Sequence, residues 1–349
     1  MSSSTATLRA VIVDPEAPGS LRFADVPEPE PGPGEALIEV RNASMNYGEV
    51  RWAAHQPPGS VMGYDAAGVV LRAAADGSGP AAGSRVVAFG PGAWSERATF
   101  ASDSLAELPD SVDLADAAAL PLVGITALRT LRAAGSVLGK RVLITGASGG
   151  VGRTAVQLAR RAGAHVIASV GSPARGEGLE ELGADEVVVG LEPVEQPVDV
   201  VLENVGGPQL VAAWNLLKPG GNLQSIGWAA HDQPAVFPPN GIFSLGPAKS
   251  LHSFADPSDP GPDLAALVGL VARGELSPEI GWRGPWDRVT DAADALLDRR
   301  VPGKAVLDIG PATEPATKPA TGAQPHAGLQ DDDESSGTVE QRSRESAAS

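Results

Sequence analysis

The chain has 349 residues, with 26 basic and 43 acidic side chains, a formal charge of −17 and no cysteine. That length suggests about two domains, each able to bury its own core, and 42% hydrophobic residues exclude global disorder. Without cysteine there is no disulfide framework, thiolate nucleophile or cysteine-ligated metal, and an acidic chain is poorly suited to a nucleic-acid backbone.

The N-terminal Met1-Ser-Ser-Ser-Thr-Ala-Thr carries neither a basic patch nor an apolar run, so no signal peptide is expected. No apolar stretch approaches the ~20 residues that span a bilayer. The expectation is a soluble, cytoplasmic protein with no membrane partner. From Leu8 to about Leu120, short β-type runs (Ala10–Val13, Ala36–Val40, Ala67–Leu71, Arg85–Phe89) alternate with glycine and proline clusters, an irregular all-β pattern. Within it, Pro27-Glu-Pro-Glu-Pro-Gly-Pro-Gly34 reads as a stiff connector between two strands.

From Val142 the period changes. Val142–Thr145 reads as a buried strand, and Val151, Ala155, Leu158 and Ala162 form one apolar stripe on a helix. Then follow a strand at His165–Val170, a short helix at Leu179–Leu182, and strands at Glu186–Val189 and Val198–Leu202. A helix at Pro208–Leu217 and a strand at Asn222–Ile226 complete an alternation that predicts a doubly wound parallel sheet. Further helices are expected at Leu264–Arg273 and at Asp291–Arg299, the latter N-capped by Thr290, with a last strand at Lys304–Ile309. From Pro311 onward, proline, small polar residues and the acidic run Asp331–Glu334 predict a disordered tail, with seven acids against three bases.

Thr145-Gly-Ala-Ser-Gly-Gly-Val-Gly-Arg153 lies between a strand and a helix, where a dinucleotide-binding loop belongs. Glycines at 149, 150 and 152 let backbone approach a pyrophosphate, which the helix N-terminus then faces. A tight structural turn is the alternative; no Lys-Ser/Thr pair closes the loop as in a triphosphate P-loop. At the end of the next strand, Gly171 and Ser172 stand where an acid would select NAD, and Arg175 follows three residues on. A guanidinium there can clamp a 2′-phosphate, so NADPH is favoured over NADH, the alternative being that Arg175 is a solvated loop charge.

With these residues in place, the chain resembles the medium-chain dehydrogenase/reductase superfamily, in its zinc-independent quinone-oxidoreductase-like and enoyl-reductase-like branch. The resemblance covers almost all of Leu8–Ile309. Its markers are Pro31-Gly-Pro-Gly-Glu35, Asn46-Tyr47, Gly63-Tyr-Asp-Ala-Ala-Gly68, Ala117–Ala127 and the glycine loop. Glu181-Leu-Gly-Ala-Asp185, Asp199–Gly207, Leu217–Gly221 with Ser225-Ile-Gly227, and Gly303-Lys-Ala-Val-Leu307 continue the series. The resemblance implies an α/β fold in which a GroES-like, mostly-β catalytic domain (1–121 and 275–312) is interrupted by a Rossmann domain (122–274), with the tail at 313–349.

It further implies hydride transfer from NADPH to a small-molecule acceptor: a quinone, an enone or another activated double bond. The alternatives are a pathway-specific enoyl-thioester reductase and a non-catalytic NADPH-binding protein. By family position, Ser148, Gly149, Gly150, Val151 and Gly152 hold the pyrophosphate, and Gly171, Ser172 and Arg175 surround the adenosine ribose. Asn46, Thr126, Asn204, Ser225 and Gly227 belong near the nicotinamide half; Gly190 stands where some relatives place a tyrosine on the 2′-phosphate. The zinc-dependent branch has a cysteine near Asn46 and Gly-His-Glu at Gly63-Tyr64-Asp65, so no metal is expected here. Tyr47 is the first candidate proton donor, with packing or cofactor stacking as its alternative role. His55 is a second candidate, and His231 and His252 lie near late loops. The family's edge-to-edge sheet pairing implies a homodimer through a strand near Ser250–Phe254.

Overall fold

Short runs rich in valine and alanine, broken by Gly and Pro, fold as strands wherever one face can be buried. The computed structural model describes residues 7–310 except 231 and 244; His231 and the acidic tail therefore lie outside the described residues.

Strands β1 (Thr7–Val13) and β2 (Leu21–Pro27) form an antiparallel hairpin. The proline-rich connector then leads into β3 (Glu35–Met45), which ends at Asn46 and the one-turn helix α1 (Tyr47–Arg51). Next come β4 (Asp65–Arg72), β5 (Arg85–Phe89), β6 (Arg97–Ala101) and β7 (Leu105–Glu107), followed by α2 (Leu114–Ala118) and α3 (Pro121–Ala133). Gly68 is required where β3 and β4 cross: a Cβ there would lie 2.0 Å from the Glu39 carbonyl oxygen.

The second half contains β8 (Arg141–Thr145), α4 (Gly150–Arg161), β9 (His165–Val170), β10 (Glu186–Val189) and β11 (Val198–Glu203). It continues with α5 (Gly207–Leu216), β12 (Leu217–Ser225), β13 (Ser250–Ser253) and α6 (Gly261–Ala272). The last described elements are β14 (Ile280–Pro285), α7 (Val289–Leu297) and β15 (Lys304–Asp308). The six-stranded sheet is parallel throughout, in the order β10-β9-β8-β11-β12-β13. Its winding reverses between β8 and β11, which opens a crevice at their C-terminal ends. β15 returns to pair antiparallel with β3, so residues 304–308 complete the first sheet, in the order β14-β15-β3-β4-β5-β7 with β6 also on β3. One apolar cluster runs from Ala67 and Val87 through Leu120 and Ile125 to Val142 and Ile144, joining the two sheets across α3.

The α/β architecture, its mostly-β first part and its doubly wound second part are as the residue pattern predicted. Two local expectations are corrected. Leu179–Leu182 is a turn, because Gly178 and Gly183 on either side take φ of 77° and 109°, leaving too few residues for a helix. Thr290 does not cap α7: a 3-10 turn over Trp286–Arg288 runs directly into the helix, so the N-cap is Arg288 and Thr290 lies in the first turn. Among the described residues no helix is long and apolar enough to cross a membrane.

Candidate active site

The glycine loop sits at the end of β8. Gly146 turns the chain at φ 58°, and Gly149 precedes α4. A Cβ on Gly152 would lie 2.5 Å from Ala147 Cα and 2.6 Å from the Gly146 carbonyl oxygen, so only glycine lets the helix pack on the loop. A Cβ on Gly150 would meet Val123 at 2.8 Å and the Lys304 side chain at 3.0 Å. Ser148, Gly149, Gly150, Val151 and Gly152 thus stand together at the start of a three-turn helix, whose first amides have no intrahelical acceptor. With the positive end of the helix dipole, this cradle fits a pyrophosphate.

At the end of β9, Gly171 and Ser172 lead into a 3-10 turn over Pro173–Gly176. The Arg175 guanidinium lies 3.5 Å from where a Gly171 Cβ would project, and it has no partner among the described residues. Ser148, Ser172 and Arg175 share one cleft of about 390 Å³. Its other walls were not read from the sequence: Arg153, from the first turn of α4, Ala174 and Glu177 around the turn after β9, and the segment Arg299–Pro302 leading into β15. Arg153 is 7% exposed. It donates to Glu279 Oε2 (2.9 Å) and to the Glu177 carbonyl oxygen (2.7 Å), and its buried Nε has no partner.

Asn204, Ser225 and Gly227 are brought together at the ends of β11 and β12. Asn204 donates through its side chain to the Thr145 carbonyl oxygen and through its backbone to Thr145 Oγ1, both at 2.9 Å. A Cβ on Gly227 would lie 2.9 Å from the Asn204 carbonyl oxygen. Beneath them Glu203 is fully buried and accepts bonds from Thr145 Oγ1 and from the amides of Val205 and Gly206. Burial raises its carboxyl pKa against those bonds. Thr126 is buried on α3, its carbonyl accepting the Thr130 hydroxyl at 2.7 Å.

On the β-domain side the structure reveals a buried charge cluster. Asp65, fully buried at the start of β4, accepts bonds from Ser44 Oγ (3.0 Å), Asn46 Nδ2 (2.9 Å) and the Leu122 amide (3.0 Å). Lys304, only 3% exposed, donates to Asp65 Oδ2 at 2.9 Å and to Asn46 Oδ1 at 2.5 Å. Its stem lies against Gly150, so one side chain links the glycine loop to the loop carrying Asn46 and Tyr47. Glu49 completes the group: its Oε2 accepts the Asn46 amide at 2.7 Å, and its buried Oε1 has no partner. Burial, with the negative charge of Asp65, pushes its carboxyl up to about 8, against the pull of Lys304.

Tyr47 is half-buried, with the Arg299 guanidinium 5.6 Å from its ring centroid. Tyr64 is exposed beside Phe89, and His55 packs edge-on against Trp52, outside the buried cluster. Asn46 is therefore joined to the glycine loop through Lys304, and Tyr47 follows it in the chain, whereas among the described residues no hydrogen bond or ion pair ties His55 to the loop.

Two family models match the chain, the alcohol dehydrogenase GroES-like domain over residues 32–110 and the zinc-binding dehydrogenase over residues 150–255. A quinone oxidoreductase of Pseudomonas aeruginosa is 31% identical over 313 residues, 83% of this chain and 96% of that protein. A spectinabilin polyketide synthase system protein of Streptomyces orinoci is 32% identical over 81% of this chain, which spans only 14% of that protein's length. A mycobacterial protein solved in complex with NADPH superposes with a TM-score of 0.77 at 25% identity, covering 86% of this chain and all of that one. The chain belongs to the medium-chain dehydrogenase/reductase family, in its quinone oxidoreductase-like branch. The zinc in the second model's description does not fit these residues. Where the zinc-dependent branch has its ligands this chain has Asn46, Tyr64 and Asp65, and the Lys304 ammonium already bonds the amide and the carboxylate.

Proposed function

We propose that the protein is a cytoplasmic, NADPH-dependent, zinc-independent reductase that passes hydride to a quinone, an enone or another activated double bond. The observation that carries this reading is the Lys304 side chain, which packs on the glycine loop while its ammonium takes up Asn46 and Asp65. A fixed cation thus stands at the junction of the cofactor loop and the candidate catalytic loop.

In this reading residues 122–274 hold the dinucleotide, and residues 1–121 with 275–312 hold the acceptor. Ser148–Gly152 bind the pyrophosphate through backbone amides; Gly171, Ser172 and Arg175 bind the adenosine ribose and its 2′-phosphate. Asn204, Ser225, Gly227, Thr126 and Asn46 flank the nicotinamide half. The nicotinamide supplies the hydride, and the protein supplies position and electrostatics. An acceptor oxygen gains negative charge as hydride arrives, and in this reading Tyr47 donates to it and returns a proton. Among activated double bonds, similarity to a polyketide synthase favours α,β-unsaturated thioesters as a second substrate class. The exposed edge of β13, with Leu251 on its open face, is the surface through which two copies pair; light scattering should give the mass of a dimer.

The test is oxidation of NADPH and NADH by a panel of quinones, enones and enoyl thioesters, with and without a chelator. Turnover that prefers NADPH and ignores the chelator is expected. Failure with every acceptor while NADPH still quenches tryptophan fluorescence would replace the reductase with a cofactor-binding protein.

A further inference from the structure

Four arginines line the cleft beside the glycine loop: 153, 175, 299 and 300. Two are already committed. Arg153 is held between Glu279 and the Glu177 carbonyl, where it fixes the end of the loop that presents Ser172 and Arg175. Arg299 donates to the Ala229 carbonyl and lies over the Tyr47 ring. The remaining two come from different segments of the chain. Arg175 comes from the turn after β9 and has no partner among the described residues. Arg300 comes from the segment between α7 and β15 and among the described residues meets only Asp298, at 3.2 Å, with both side chains more than half exposed. Such an ion pair contributes little and yields readily to a better anion.

The backbone holds Arg300 at this place. The chain leaves α7 through Arg299, whose φ of 58° is left-handed, and the Arg300 amide bonds the Ala295 carbonyl. Three residues later the Gly303 amide donates to the Ser148 carbonyl at 3.0 Å, and Gly149 and Gly303 form a parallel bridge. Both ends of the 300–302 segment are therefore pinned, one to the helix and one to the glycine loop. On the far side, Gly190 follows β10 next to Val170 and offers no side chain. Glu177 also lines the cleft, and besides Arg175 the cation there with only an exposed partner is Arg300, on the α7–β15 segment.

We propose that Arg300 and Arg175 form a two-sided clamp for the ribose 2′-phosphate of NADPH, in which Arg300 is a specificity-determining residue contributed from outside the parallel-sheet half. A phosphomonoester dianion presents oxygens to two guanidinium forks at once, while a 2′-hydroxyl engages neither strongly. This rests on the NADPH reading above.

The experiment titrates tryptophan fluorescence of the full chain and of its Arg300→Ala, Arg300→Lys, Arg175→Ala and Asp298→Ala variants. The probes are NADPH, NADH and adenosine 2′,5′-bisphosphate. Arg300→Ala should weaken NADPH and the bisphosphate about tenfold, the order of one charge-assisted hydrogen bond, and leave NADH unchanged. Arg300→Lys should recover part of the loss, and Asp298→Ala, which frees Arg300, should tighten NADPH. An unchanged NADPH-to-NADH ratio in Arg300→Ala, beside a collapsed ratio in Arg175→Ala, would overturn the clamp and leave the NADPH reading standing. Equal weakening of both cofactors would overturn it too, placing Arg300 on the pyrophosphate. A wild-type chain without NADPH preference would overturn the reading beneath it.

Discussion

Replacing Lys304 with methionine probes the centre of the site. The ammonium and its partner Asp65 are 3% and 0% exposed, so the substitution leaves a carboxylate in a nearly dry environment without its cation. Removing one member of a buried pair costs about 3–5 kcal/mol. Asp65 keeps the Ser44, Asn46 and Leu122 donors, which offset part of that loss and put the expectation near the lower end, about 3 kcal/mol. Methionine preserves the packing of the stem on Gly150, so the change reports charge rather than volume. Adding Asp65→Asn removes the stranded charge, and the double variant should be more stable than Lys304→Met alone, by about 1–2 kcal/mol. Urea unfolding near neutral pH, followed by the chain's six tryptophans, measures both effects. A Lys304→Met loss below about 1 kcal/mol, or a double variant no better than the single one, would refute the buried pair as the organising contact.

Glu49 sets a pH dependence. Its folded pKa of about 8 lies above the unfolded value of 4.5, so the native state holds the proton more tightly. The stability it contributes is fully present below the unfolded pKa and is lost as pH rises through 8, at up to about 1.4 kcal/mol per pH unit. Glu49→Gln should flatten that slope and be more stable than wild type in alkaline buffer, as chemical unfolding across pH would show. Gly152→Ala should cost about 1–3 kcal/mol, because its Cβ would stand 2.5 Å from Ala147 Cα. It should also abolish the NADPH quench of tryptophan fluorescence. Tyr47→Phe should lower kcat by about 10²-fold while the KM for NADPH stays constant, if Tyr47 is the proton donor; an unchanged kcat would assign it to packing.

Much of the fold was legible because it rests on local signals. The run Val142–Thr145, the glycine loop and the stripe on α4 announce a parallel-sheet unit within twenty residues. Helix α3 gave no such signal: Gly124, Thr126 and Thr130 are buried along with its apolar residues, so the helix is covered on several sides and shows no clean stripe. Strand β14, with Gly, Trp, Arg and Gly at its centre, has no alternating pattern either. The candidate site divides in the same way. The phosphate loop and Ser172–Arg175 are contiguous and readable. The Lys304 contacts join residues 258 and 239 positions apart, and the sequence around Gly303-Lys304 carries nothing to distinguish a buried ammonium from a solvated one. Arg300 is equally silent: it lines the cleft because the segment ending at Gly303 folds back against the loop at Ser148.

The central claim is that hydride passes directly from NADPH to an acceptor carbon held in the cleft. NADPH carrying deuterium on the transferred position of its nicotinamide ring, incubated with the protein and an enone, tests it by NMR of the product. One deuterium on the carbon β to the carbonyl, and unlabelled oxidised cofactor, is the predicted result. Consumption of NADPH with no label in the product, or no reduction by a chain that binds the cofactor, would contradict it.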